Sequence, residues 1–420
     1  MKKVFIFVCI VFTLLSCDKS SYDYNHVDED AVLSITIPLS EALSSLDSMI
    51  KSLKPEVKCD YDEHRSVSLV GALDFTSTKA AGFDIPDTLM YIVNFDGGNG
   101  FAVLAGDRRL GESVYCLTEE GIMTPEDFSK AFDYLHTRYN QTKVIDGNFG
   151  DFKDMGTDFV PALLLSSMLA DLKYGLPENE TIGTKTTLGT TNGVLLKTKW
   201  HQMYPFNAYT PVVDGVNCPT GCVATACAQI MQYCKKPSNP KFNDMQCSWS
   251  EMGTVCSTNN ISGSSATSSA KEQVGKFLSH IGKKSLCYIR YDKTASGGYA
   301  AGVVRTLEYY GYSSVKKYTG FGTANQAKAS EMLRKGLPVY LDGSDWSNGG
   351  GHAWVIDGEW NGHFHCNWGW NGKWDGYYAK HNYFPIKNRA YIDSSDPDTM
   401  DNSLKDKNYD WNFRLITYSK

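Results

Sequence analysis

The chain has 420 residues, 42% hydrophobic and 21% charged, with a formal net charge of −6. That composition fits an ordinary soluble globular protein of two or three domains. The charges are spread without long runs, so neither nucleic acid nor an anionic surface is an implied partner.

The first 17 residues read as a targeting segment. Lys2 and Lys3 supply positive charge, and Val4 to Leu15 form an apolar run too short to span a bilayer as a stable helix. The run ends in L-L-S-C at Cys17, which looks like a bacterial lipobox. On that reading Cys17 is diacylated, and the exported chain is anchored by lipid to a bacterial membrane, on its periplasmic or surface face. An ordinary secretory peptide cleaved near Ser16 is the plainer alternative. Residues 18–37 are polar and acidic, as a tether would be. Leu39, Leu43, Leu46, Met49, Ile50 and Leu53 then recur on one face, which predicts an amphipathic helix. Tyr91 to Leu104 reads as two strands around D-G-G-N-G, and 125–145 and 161–173 read as helices. Residues 38–175 thus form an α+β region. Residues 176–193 are rich in Thr, Gly and Asn, a linker composition suited to proteolysis, and cleavage is expected near Lys185.

The second region, 194–420, begins with helices. From P-T-G-C-V-A-T-A-C-A-Q-I-M onward, Val223, Ala226, Cys227, Ile230, Met231 and, three residues further, Cys234 define a buried helix face that Cys222 opens. A helix N-terminus favours a thiolate, and with a His partner it can bring a thiol from roughly 8.5 to about 3–4. Helices near 270–282 and 299–310 follow. Strands come next, at Val339–Asp342, Ala353–Asp357, His363–Asn367, Gly376–Ala379 and Phe413–Tyr418. Residues 384–408 read as a long loop.

Within G-G-G-H-A-W-V-I-D-G, His352 stands 130 residues after Cys222, and Asn367 stands 15 residues after His352 on the next strand. Papain-like cysteine peptidases place their His and Asn roughly 130–150 residues after the Cys. The chemistry asks for this set. A thiolate attacks a carbonyl, an imidazolium protonates the leaving amine, and an amide fixes the ring. Trp368 is placed to shield that contact from water. His363 and His365 alternate with Asn367 and share its strand face. They compete with His352 for the role of base, but His352 is preferred because it pairs with Asn367 from a neighbouring strand. H-x-H is also half a metal site, yet no third or fourth ligand stands at zinc spacing, so neither metal nor other cofactor is expected. Of the twelve cysteines, eight lie from Cys218 onward; Cys247 and Cys256 are close enough in sequence to pair.

G-C-V-A-T-A-x-A-Q-I-M, G-G-H-A-W-V-I-D-G and H-x-N-W-G-W-x-G together resemble the streptopain family of secreted bacterial cysteine peptidases, from about Trp200 to Tyr378. The resemblance implies a papain-like two-lobe α+β fold, with a helical lobe and an antiparallel β lobe. It implies Cys222 as nucleophile, His352 as acid and base, and Asn367 as orienter with Trp368 beside it. Within W-H-Q-M-Y-P-F-N it implies Gln202 as an oxyanion donor. It also implies that the N-terminal region is an inhibitory propeptide, which its F-A-V-L-A-G-D stretch resembles. Polypeptides are the expected substrates. Gly351 and the loop Thr294–Gly298, with Ser296 and Gly297, are candidate peptide contacts because glycines allow close approach. The rivals are a papain-fold thiol amidase or transglutaminase acting on cell wall or protein, and a catalytically silent surface-binding protein.

Overall fold

The computed structural model describes residues 35–53, 64–75, 85–140, 153–176, 193–344, 350–383 and 411–420. The targeting segment with Cys17, nearly all of the tether and of the linker with Lys185, and the loop 384–408 lie outside the described residues.

The N-terminal region contributes α1 (Leu39–Leu53), β1 (Arg65–Val70), β2 (Met90–Phe95), β3 (Phe101–Ala105), β4 (Val114–Thr118), α2 (Pro125–Asn140), the two-residue β5 (Lys153–Asp154) and α3 (Phe159–Tyr174). The second region opens with helices and two small hairpins. These are β6 (Val212–Val213) with β7 (Val216–Asn217), α4 (Cys222–Cys234), β8 (Lys241–Phe242) with β9 (Met245–Gln246), α5 (Trp249–Met252), α6 (Ser268–Ile281) and α7 (Ala300–Tyr309). It then turns to β10 (Ser313–Thr319), α8 (Thr323–Arg334), β11 (Val339–Ser344), β12 (Gly350–Trp360), β13 (His363–Asn367), β14 (Gly376–Ala379) and β15 (Asn412–Ser419). This is the expected mixture of helices and antiparallel sheet, helices first in the second region.

One sheet serves both regions. Its order is β1-β2-β3-β4-β14-β13-β12-β11-β15-β10, with every neighbouring pair antiparallel. The seam is β4 against β14, where Leu117 faces Tyr377 and Cys116 faces Tyr378. The sheet and the core therefore run across the two regions expected from the sequence.

Two helices carry the site. α3 is apolar on every side, and Phe159 to Asp171 are all buried, as expected of a helix enclosed all round. It places N-terminal residues deep in the shared core, with Phe159 ring to ring against Trp354, Trp368 and Trp411. α4 packs against β12 and β11 through its buried face of Val223, Ala226, Cys227, Ile230 and Met231. All nine described cysteines are free thiols, Cys247 and Cys256 included.

Candidate active site

Gly221 enters α4 at φ 83°, ψ 136°, a left-handed conformation that a side chain would strain. A Cβ there would also sit 3.2 Å from the Ser296 carbonyl. The turn aims Cys222 at β12. The Thr220 N–H donates to the Gln202 carbonyl at 3.0 Å, tying the Gln202 segment to the start of the same helix.

His352 lies on β12 with no exposed surface. Its Nε2 donates to the Trp368 carbonyl at 2.8 Å, and its ring is walled by Trp370, centroid to centroid 4.5 Å, and by Phe159 at 5.9 Å. The structure thus brings Cys222, His352, Gln202 and Trp368 together. It also adds a residue that nothing in the sequence signalled. Asp154, on β5, joins His352 Nδ1 to Oδ1 at 2.8 Å and accepts from Gln202 Nε2 on Oδ2 at 2.5 Å. A carboxylate oxygen of Asp154, Cys222 Sγ and a ring nitrogen of His352 lie within 4.8 Å of one another. β5 reaches this position by pairing in parallel with Gly350 and Gly351, and the Met155 N–H donates to the Gly351 carbonyl at 2.9 Å. Gly351, expected to hold a peptide, holds one from the N-terminal region.

The electrostatics differ from the sequence expectation. Burial pushes the Cys222 thiol well above its usual range, and the Asp154 charge pushes it further, against the Ala353 and Val223 N–H groups. The sulfur is therefore a neutral thiol in this arrangement, not the thiolate that its helix position predicts. Burial raises Asp154 too, but the His352 ring, the Gln202 amide and the Gly156 N–H outweigh it and hold the carboxyl below its ordinary value. Asp154, rather than Cys222, is the anion of the site.

Asn367 is a second correction, because it does not orient His352. The register sets it opposite Val355, three residues along the strand from His352. Its Oδ1 accepts from Gln229 Nε2 at 2.9 Å and its Nδ2 donates to the Thr198 carbonyl at 2.9 Å. The next carbonyl, that of Trp368, fixes the ring instead. Ser296 and Gly297 are bonded within their own loop, Ser296 Oγ to the Asp292 carbonyl and Gly297 to Arg290 through paired backbone bonds.

His363 and His365 do not reach the thiol. His363 Nε2 donates to the Val114 carbonyl at 2.8 Å. His365 joins Asp357 at 2.6 Å and Glu119 at 3.2 Å, and Glu119 and Asp375 both pair with Lys199. Burial lowers His365, but the two carboxylates overcome it and hold the ring up to about 10, so it is a cation and cannot act as a base. Burial raises Glu119, while His365 and Lys199 bring it down to about 2. Glu119 belongs to the N-terminal region and His365 to the second, so this pair crosses the seam. Its pH dependence follows by linkage. The His365 contribution is complete below its ordinary 6.5 and lost as pH rises through about 10. The Glu119 contribution is complete above its ordinary 4.5 and lost as pH falls through about 2. Resistance to denaturant is expected to be flat between those ordinary values and to fall on both sides. Glu119→Gln should flatten the acid limb and shrink the alkaline one. Wild-type and Glu119→Gln curves of the same shape would refute the pair's role.

A cysteine opening a buried helix, a histidine on the facing strand and an amide donor beside them define a thiol hydrolase site on a papain-like α+β fold. The comparisons agree. Residues 200–378 match the model of the Peptidase C10 family, so this part of the chain is similar to cysteine peptidases of that family. The chain is 33% identical over 187 residues to the thiol protease/hemagglutinin PrtT of Porphyromonas gingivalis, a match covering 40% of this chain and 21% of that protein. It thus spans about a fifth of PrtT. It is 24% identical over 323 residues to streptopain of Streptococcus pyogenes serotype M1, covering 69% of this chain and 73% of streptopain. The fold is similar to that of a fragment of Prevotella intermedia prointerpain A carrying a cysteine-to-alanine substitution, at a TM-score of 0.53 and 20% identity over 84% of this chain and all of that one.

Proposed function

We infer that the chain is the latent precursor of an exported endopeptidase, held inactive by its own N-terminal region. The observation that carries this is Asp154. Its carboxylate spans the oxyanion donor and the catalytic base, beside the sulfur, on a strand paired with the Gly351 backbone. A carboxylate between an amide donor and an imidazole resembles the charge that a tetrahedral intermediate places there. The N-terminal region therefore excludes substrate, and its charge keeps the thiol protonated. That the similar prointerpain A is a pro-form supports the reading.

Cleavage in the linker, near Lys185, starts activation, and withdrawal of β5 completes it. The proton that bridges Asp154 and His352 Nδ1 passes to water as the strand leaves, and Nδ1 then takes the Cys222 proton, forming the thiolate–imidazolium pair. The thiolate adds to a peptide carbonyl, whose oxyanion is stabilised by Gln202 Nε2 and the Cys222 N–H. The imidazolium protonates the departing amine, and the acyl-enzyme remains. His352 then deprotonates water for the second half of the reaction. The Trp368 carbonyl holds the ring through both halves. A thiol-reactive peptidyl probe tests the reading. It should label Cys222 in cleaved protein and leave the intact precursor unlabelled. Equal labelling of both would remove the latency reading, and labelling of neither would revive a silent binding protein.

The same reading carries the lipid anchor at Cys17, supported by the L-L-S-C ending of the apolar run. One acyl chain gives marginal attachment, whereas the two or three of a bacterial lipoprotein hold stably. Cys17→Ser is expected to move the protein from the membrane to the soluble fraction. A substituted protein still sedimenting with membranes would sink the anchor.

A further inference from the structure

We propose that the precursor binds a zinc ion at Cys222, His352 and Asp154, a site that exists only while the N-terminal region occupies the cleft. The inference rests on the latency reading above but makes a separate claim. The donor set suits zinc, namely a thiol, an imidazole and a carboxylate from three elements within 4.8 Å of one another. Tetrahedral zinc with bonds of about 2.0–2.3 Å places its ligand atoms about 3.3–3.7 Å apart. The Asp154–His352 contact of 2.8 Å must therefore open by under about 1 Å, and the sulfur must close in.

Two of the ligands already have the outer support that metal sites use. His352 Nε2 donates to the Trp368 carbonyl, which can only accept, so Nδ1 is the ring nitrogen that faces the sulfur and the carboxylate and is left to bind the ion. Asp154 keeps Oδ2 on the Gln202 amide, and Oδ1, which accepts from the Gly156 N–H at 2.9 Å, turns its other lone pair to the ion. Trp370 and Phe159 wall the ring. What occupies the position without metal is protons, one between Asp154 and His352 and one on the thiol. Zinc replaces both. Three metal–ligand bonds form, the S–H bond and the Asp154–His352 proton bridge break, two protons leave, and water fills the fourth position. The ion adds no catalytic step, and it ties the N-terminal region to the sulfur it must later leave. The sites are 154, 222 and 352 in the chain, so ligand spacing could not reveal them.

The test uses full-length precursor, kept cold and verified intact by mass, titrated with Zn²⁺ and separately with Co²⁺. One equivalent of zinc should bind, with release of about two protons per ion, and cobalt should give a thiolate-to-metal charge-transfer band. Asp154→Asn should weaken binding by more than the roughly 10- to 100-fold that an outer-shell change costs, since it removes a ligand. Asp154→His, which supplies another donor, should restore much of it. The cleaved protein, with two ligands left, should bind as weakly as Asp154→Asn. Binding to Asp154→Asn or to cleaved protein as tight as to the precursor would overturn the proposal, as would a cobalt spectrum without the thiolate band. The latency reading is scored separately, in chelator. If Asp154→Asn matures faster with no metal present, that reading stands whatever the titration gives.

Discussion

Cys222→Ala is expected to abolish peptide hydrolysis and leave the precursor folded. The sulfur forms the covalent bond to the acyl group, and no neighbouring group can replace it. Loss of a nucleophile acting in a unit with its base costs on the order of 10⁴-fold or more. The structural cost is small, because the variant loses one buried sulfur atom at a helix end whose other turns remain packed. Casein hydrolysis and circular dichroism measured on the same sample separate the two. Activity lost together with helix content would mark a structural thiol. His352→Ala should be nearly as damaging to hydrolysis, since proton transfer in both half-reactions passes through that ring. The Cys222→Ala precursor also reports who cuts the linker. If it stays full length in isolation, maturation is self-catalysed.

Asp154→Ala should speed maturation sharply. The side chain is 7% exposed and makes two bonds to groups of the peptidase region, one of them to the imidazole. Bonds to charged groups contribute about 1.5–3 kcal/mol each, part of which water restores when the strand leaves. An opening equilibrium shifted by about 10- to 100-fold is the expected result, since roughly 1.4 kcal/mol corresponds to tenfold. The time course of precursor loss on a gel, at fixed pH and in chelator, measures it. An unchanged half-life would place the block elsewhere, in Phe159 and the shared core rather than in the carboxylate.

The sequence was most informative where chemistry and periodicity coincide. The Cys222 helix, the strands carrying His352 and Asn367, and the hairpin around D-G-G-N-G were all readable, because apolar spacing and turn residues are local signals. β10 was not, since S-S-V-K-K-Y-T is largely exposed along its length and offers no clean alternation. β4 was missed because V-Y-C-L-T is a short, wholly buried run, without the polar alternation that marks a strand. Asp154 had no signal at all. It is an acid in a polar stretch, and its contact to His352 spans 198 residues. The roles of Asn367 and Cys222 were read from residue type and order. Register decided the first, placing a carbonyl rather than an amide against the ring. Burial beside a carboxylate decided the second.

The seam between β4 and β14 has a consequence for what remains after the cut. Within the intact chain, β14 has a strand on each side. If the N-terminal region departs as proposed, Gly376 to Tyr378 would become the rim of a shortened sheet, with backbone donors and acceptors turned to water and two tyrosines alongside. An open rim of this kind is a template on which another extended chain can add itself. On that proposal, a protein that gains a free cleft would gain an unfinished border as well. Its solubility would then depend on how well three residues, which β4 covers in the precursor, tolerate having no neighbour.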